Sequence, residues 1–208
     1  MSKKNADNYK IESKEKFNQQ AKNYDSGSSG KHARGLYDNV LNKLDKFTFN
    51  NLLDVGCGTG NLLSVISNKY NVKIAGVDLT PNMLDIARDK LGYQADLRLG
   101  DSENLPFEDY NFDMVICTDS FHHYPHPDKV LKEFSRVLKT SGGLLIADPY
   151  APSPFRQLLN LYFPHSKGGE VRMYSKAEII KLLEKASFKD IKWELVGRTG
   201  FIVTSKLN

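Results

Sequence analysis

The stretch Leu52-Leu53-Asp54-Val55-Gly56-Cys57-Gly58-Thr59-Gly60 decides how this chain is read. Three apolar residues and one acid make a short strand, and three glycines within five positions end it. Glycine lets the backbone turn sharply and approach a ligand closely. The spacing excludes two common nucleotide loops. A dinucleotide fingerprint counted from Gly56 requires a third glycine at position 61, where the chain has Asn61. No Gly-Lys-Ser/Thr follows, so the phosphate-cradling P-loop is excluded as well.

Downstream, strands and helices alternate. Leu62, Leu63, Val65 and Ile66 predict a helix, and Lys73–Val77 a second strand that ends at Asp78. Pro81 opens a helix that runs to Leu91 and stops at Gly92, proline being favoured in a first turn. Ala95–Leu99 is a third strand ending in Gly100-Asp101, Phe112–Cys117 a fourth, and Gly142–Ala147 a fifth, with a helix over Asp128–Leu138 before it. This alternation predicts a parallel sheet covered on both faces. Ser175 is placed to cap a helix over Lys176–Ala186. Two strands follow, Ile191–Val196 and Phe201–Ser205, joined by only four residues. So short a connection forces an antiparallel pair. The expected fold is α/β: a Rossmann-like doubly wound, seven-stranded, mostly parallel sheet with an antiparallel C-terminal hairpin and helices on both faces.

Upstream, Ile11, Phe17, Ala21 and Tyr24 have helical spacing, with Ser13 as a candidate cap. Ser26-Gly27-Ser28-Ser29-Gly30 predicts a flexible break. Leu36, Val40, Leu41 and Leu44 then form an amphipathic stripe. The expected organisation is an N-terminal helical cap over 1–46 and a Rossmann-like domain over 47–208, with a lid insertion at about 150–170. That insertion carries Phe155, Leu158, Leu159, Leu161, Tyr162 and Phe163, which cover much of a helix circumference and so predict burial as well as a lid. Gly168-Gly169 would be its hinge.

Length and charge fit one ordinary domain. The chain has 208 residues, 40% of them hydrophobic, enough to bury a core. No run approaches the ~18 apolar residues of a membrane span, and the start, MSKKNADNYK, lacks the apolar stretch of a secretory signal. Cys57 and Cys117 make neither a disulfide framework nor a zinc site. A reducing cytoplasm is the expected compartment. The net charge of +4 is unevenly placed: +4 over residues 1–46, −4 over 47–166 and +4 over 167–208. An acidic middle does not suit nucleic acid, whose binders gather basic residues on the binding element.

Asp78 lies 18 residues after Gly60, at a strand end. A carboxylate there accepts hydrogen bonds from both hydroxyls of a ribose; the competing reading is a turn or cap aspartate before Thr80-Pro81. Asp101 has the same two readings. Three consecutive strands ending in a glycine loop or an acid together describe an adenosine-shaped site.

On these residues the chain resembles the class I S-adenosylmethionine-dependent methyltransferases. Leu53–Gly60 resembles the family's first motif, Gly76–Leu84 the second and Gly100–Phe107 the third, and Phe112–Cys117 and Leu138–Gly143 match later elements. The N-terminal Phe17-Asn18-Gln19-Gln20-Ala21-Lys22-Asn23-Tyr24-Asp25 resembles the Phe-Asp-x-x-Ala-x-x-Tyr-Asp element of small-molecule members, the quinone-biosynthesis methyltransferases among them, with Asn18 in place of the acid.

The resemblance implies a cofactor, S-adenosyl-L-methionine, with S-adenosyl-L-homocysteine as product. It also implies a binding set. Asp54, Gly56, Cys57, Gly58 and Gly60 would pack against the methionine part. Asp78 would hold the ribose, with Leu79 and Met83 nearby. Asp101 would accept from the adenine amine, Ser102 would supply a backbone N–H, and Thr118 would contact the cofactor. Tyr24 either lies over the cofactor or packs between helices.

A methyl on a sulfonium is already activated, so alignment and desolvation do most of the work. A base is required only where the acceptor must lose a proton. His122 and His123, in Asp119-Ser120-Phe121-His122-His123-Tyr124-Pro125-His126, are the candidate bases; the alternative is a helix-start feature. A metal on His122, His123 and His126 is opposed by Pro125 and Pro127, which break the required helix, so no metal site is expected.

The expected function is methyl transfer to a small-molecule acceptor by in-line displacement. The alternatives are a protein or RNA methyltransferase and a non-catalytic cofactor-binding scaffold. Against RNA, Asp119-Ser120-Phe121-His122 stands where amino-directed nucleic-acid members carry Asn/Asp-Pro-Pro-Tyr/Phe.

Overall fold

The computed structural model describes residues 4–208. Seven strands, β1 (Asn51–Val55), β2 (Lys73–Asp78), β3 (Ala95–Leu99), β4 (Phe112–Thr118), β5 (Leu138–Pro149), β6 (Phe188–Val196) and β7 (Gly200–Leu207), form one sheet in the order β3-β2-β1-β4-β5-β7-β6. The first five are parallel. β7 runs antiparallel between β5 and the edge strand β6.

Side-chain alternation explains the sheet's two cores. In β4, Met114 and Ile116 join one apolar cluster and Val115 and Cys117 the other, and all four are fully buried. Successive residues of a strand point to opposite faces, so a strand buried on both reads as one continuous apolar run. One face is covered by α2 (Ser28–Leu44), α3 (Asn61–Lys69) and α4 (Pro81–Leu91), the other by α5 (Pro127–Val137) and α7 (Lys176–Lys185). Ser175 caps α7 in a reciprocal box with Glu178. Ser175→Ala should therefore cost about 1 kcal/mol of stability, read as a lower denaturant midpoint at unchanged slope.

Several local expectations shift. Asn5 caps the first helix, α1 (Ala6–Gln20), by accepting from the Asn8 N–H; Ser13 sits mid-helix. The break at 26–30 shrinks to Gly27, because α2 already starts at Ser28. Gly30 lies buried inside it, where any Cβ would strike the Tyr24 carbonyl. β5 begins at Leu138, directly where α5 ends, and β6 begins at Phe188, three residues before the expected start.

The helix in the insertion, α6 (Phe155–Tyr162), departs most from expectation. Phe155, Leu158, Leu161 and Tyr162 are exposed, at 59% to 71%. Its inward side is held instead by Asn160, whose side chain accepts from the Met173 N–H (2.8 Å) and donates to the Met173 carbonyl (3.0 Å).

Strand order reverses between β1 and β4. The crevice beyond their carboxyl ends is where an open α/β sheet binds its ligand.

Candidate functional site

At the end of β1 the backbone turns through Gly56 and Gly58, at φ +78° and +53°. A Cβ on Gly56 would strike the Ser120 side chain, whereas one on Gly58 would meet nothing within 4 Å, because that residue borders open space. The Gly58 N–H donates to Asp78 Oδ2 (2.8 Å), and the Thr80 N–H donates to Asp78 Oδ1 (2.9 Å). Burial pushes the Asp78 carboxyl above its ordinary value despite these bonds. Beneath the loop, burial and then the Asp78 charge push Asp54 up to about 8. Asp54 Oδ1 and Thr118 Oγ1 are buried without a hydrogen-bond partner. A concave wall of glycine backbone, a buried acid and unsatisfied polar atoms is the lining a polar ligand completes.

The glycine loop, Asp78 and Thr118 border a cleft of about 760 Å³, counting the space open to solvent at its mouth. Tyr24, Gly56, Gly58, Asp78, Leu79, Met83, Asp101, Ser102, Thr118 and His123 all line it. Asp54 and Cys57 do not; they face a smaller void of about 330 Å³ behind the loop, shared with Tyr24 and Thr118. Gly60 reaches neither. Its left-handed φ of +73° turns the chain into α3, and a Cβ there would press on Ala87 and Leu91. Asp101 is already engaged: Oδ1 accepts from the Glu103 N–H (2.9 Å), and Lys10 of α1 donates to Oδ2 (2.7 Å) and pairs with Glu103 (3.0 Å).

A second, more open cavity of about 1000 Å³, counting the space open to solvent, adjoins the first, and Phe17, Tyr24, Asp119 and His123 line both. His122 faces only the second. Two histidines in its wall are paired with aspartates, His32 Nδ1 with Asp119 Oδ1 and His122 Nδ1 with Asp148 Oδ1 behind it, each at 3.0 Å. Burial alone would lower His122, but the charge and hydrogen bond of Asp148 hold it above the ordinary histidine value. His123 goes the other way: burial, then the neighbouring His122 charge, drive it well below. Its Nδ1 is buried and unpartnered. The ring is held by the edge of Phe17 at 5.2 Å and by His122 at 4.1 Å. Asp119, His122 and Asp148 bring three ligand-type atoms within 4.8 Å of one another. Each of these side chains is engaged in a histidine–aspartate pair, while Asp148 Oδ2 is buried without a hydrogen-bond partner.

Sequence reasoning missed Lys10, His32, Phe17 as a wall residue, Asp119 and Asp148. Asp148 carried a signal, since it is an acid near the carboxyl end of β5, as Asp78 is at the end of β2. Lys10 carried none, being one of many N-terminal lysines.

Comparison with known proteins gives a consistent picture. A family model described as a methyltransferase domain matches residues 53–146. Methyltransferase GfsG of Streptomyces halstedii is 33% identical over 118 residues, which is 54% of this chain and 42% of that protein. The demethylmenaquinone methyltransferase of Staphylococcus haemolyticus is 31% identical over 160 residues, 72% of this chain and 67% of the relative. The match thus spans under half of GfsG and about two thirds of the demethylmenaquinone enzyme. In fold, a solved SAM-dependent methyltransferase of Thermotoga maritima superposes with a TM-score of 0.72 at 20% identity, covering 96% of this chain and 99% of that one.

Proposed function

The chain belongs to the class I S-adenosylmethionine-dependent methyltransferase family, and from that premise we propose that it transfers a methyl group from S-adenosylmethionine to a small-molecule acceptor. One observation carries the reading: two adjoining cavities share a wall of Phe17, Tyr24, Asp119 and His123, so a donor in one and an acceptor in the other meet at those side chains.

The residues present suit the cofactor. Asp78 offers buried oxygens to ribose hydroxyls, Gly58 leaves open space beside its backbone, and Asp54 and Thr118 hold unsatisfied polar atoms next to the loop. When bound, S-adenosylmethionine supplies a methyl group on a positively charged sulfur. Asp101 and Ser102 line the wall assigned to the adenine, and the bond from Lys10 to Asp101 draws α1 across it. Tyr24 and Phe17, packed edge to face at 6.0 Å, exclude water from the shared wall. For an acceptor that must shed a proton, His123 on the shared wall is the candidate base. His122, hydrogen-bonded to Asp148, packs against His123 and fixes its ring; it is a positioning residue here.

Titration calorimetry tests this directly. S-adenosylmethionine should bind and NADH should not, and incubation with a metabolite extract should yield S-adenosylhomocysteine. Tight NADH binding with no response to the sulfonium would overturn the reading. Cofactor binding with persistent absence of turnover would favour a scaffold.

A further inference from the structure

We propose that a groove at the end of the sheet remote from the glycine loop binds a small molecule through a diphosphate group. The groove, of about 1110 Å³ counting the space open to solvent, is walled by Lys43 of α2, by Lys46 in the turn after it, and by β6 and β7. The pairing of β7 fixes where it lies. Gly200 pairs with Pro149 at the carboxyl end of β5, whereas Lys206 pairs with Gly143 near its start. The groove therefore opens at the opposite end of the sheet from the cofactor crevice. Side-chain alternation sets its floor. Thr204 and Lys206 share the face of β7 that carries Ile202, which belongs to the apolar cluster of Leu36, Val40 and Leu44 of α2. Lys192 of β6 lies directly across from Thr204.

The occupant follows from the charges. The two basic segments of the chain, 1–46 and 167–208, meet here: Lys43 and Lys46 come from the first, Lys192 and Lys206 from the second. Lys43 is paired with Glu194 at 2.5 Å. Lys46, Lys192 and Lys206 line the groove without an ion pair among the described residues. They stand close together: the bond from Lys43, and then the charges of Lys43, Lys46 and Lys192, hold Glu194 below the ordinary carboxylate value against its slight burial. Asp190 is the other acid in the wall. Three unpaired cations against one unpaired acid leave a positive site that a compact, doubly charged anion neutralises, and lysine binds phosphate as a point charge. Thr204, 7% exposed and without a hydrogen-bond partner among the described residues, adds a hydroxyl to the floor. A continuous nucleic-acid backbone would have to run past Asp190 and Glu194, which repel it.

Isothermal titration of the full chain with sodium pyrophosphate at low ionic strength tests this. Pyrophosphate should bind, inorganic phosphate should bind more weakly, and added salt should weaken both. ADP binding within a few fold of pyrophosphate identifies the esterified group, and binding of pyrophosphate alone the free anion; both uphold the proposal. The double substitution Lys192→Ala and Lys206→Ala should lower pyrophosphate affinity about tenfold or more, since a hydrogen bond to a charged group is lost at each position. Both side chains are exposed, so the melting temperature should hold. Saturating S-adenosylmethionine should leave pyrophosphate affinity unchanged, whatever the outcome for the proposed transfer. Absence of pyrophosphate binding overturns the proposal, as does equal binding by the double variant. Displacement by S-adenosylmethionine overturns it by placing the anion in the cofactor cleft. A single-stranded RNA that binds through the same lysines where pyrophosphate does not assigns the groove to nucleic acid and also overturns it.

Discussion

Asp78→Ala is expected to weaken S-adenosylmethionine binding about a hundredfold or more while the chain still folds. Asp78 ends β2 inside the crevice, and burial raises its pKa, so its charge is poorly solvated and strongly felt by a donor beside it. Hydrogen bonds to a charged group contribute roughly 1.5 to 3 kcal/mol each, and two ribose hydroxyls would donate here. Alanine also removes the acceptor for the Gly58 and Thr80 N–H groups, which releases the loop the cofactor packs on. Asp78→Asn keeps one acceptor oxygen and should fall between the two. Calorimetry gives the affinities and circular dichroism checks the fold. Unchanged affinity in the alanine variant would remove Asp78 from the site.

His123→Ala should slow transfer about a hundredfold or more, for an acceptor that loses a proton, with cofactor affinity held within a few fold. The structure separates the two histidines that sequence left equal. His123 lines both cavities, whereas His122 lines one and is hydrogen-bonded to Asp148. The pH dependence follows from the sign of the His123 shift. Its pKa lies well below the ordinary value of about 6.5, so the neutral, proton-accepting form persists through neutrality. The rate should be flat there and fall only on the acid side of that value. His122→Ala should behave differently. It strands Asp148, which is fully buried, and unpaired buried charge costs about 3 to 5 kcal/mol of stability. A loss in denaturant midpoint is therefore the main expected readout for His122, and a loss of rate for His123. A His123→Ala enzyme with normal turnover, or an acid limb above the ordinary histidine value, would rule out this base.

What was legible lay within short stretches. Glycines at 56, 58 and 60, acids at 78 and 101 and the apolar runs between them specify strand ends, turns and helices through interactions within a few residues, and their order specifies the fold class and the family. Asp78 and Thr118 stand in the first cavity because each ends a strand on the same side of the sheet, which follows from parallel pairing alone. The position of β7 between β5 and β6 did not follow, since a four-residue connection dictates antiparallel pairing but not which strand lies at the edge. Nor did the charged pairs of the second cavity, which join residues 87 and 26 positions apart, or the bond from Lys10 to Asp101 across 91. The apolar stripe of α6 reads the same in sequence whether it faces a core or solvent, and the polar bonds of Asn160 to the chain beyond it decided the matter. By itself, then, the sequence determined the sheet, the loop and the acids that serve a cofactor. Only the tertiary structure decided which histidine faces the shared wall, which acids are neutralised and which apolar face is bare. Local chemistry sets the conformation of each element, while contacts between distant elements exist only after the chain has packed.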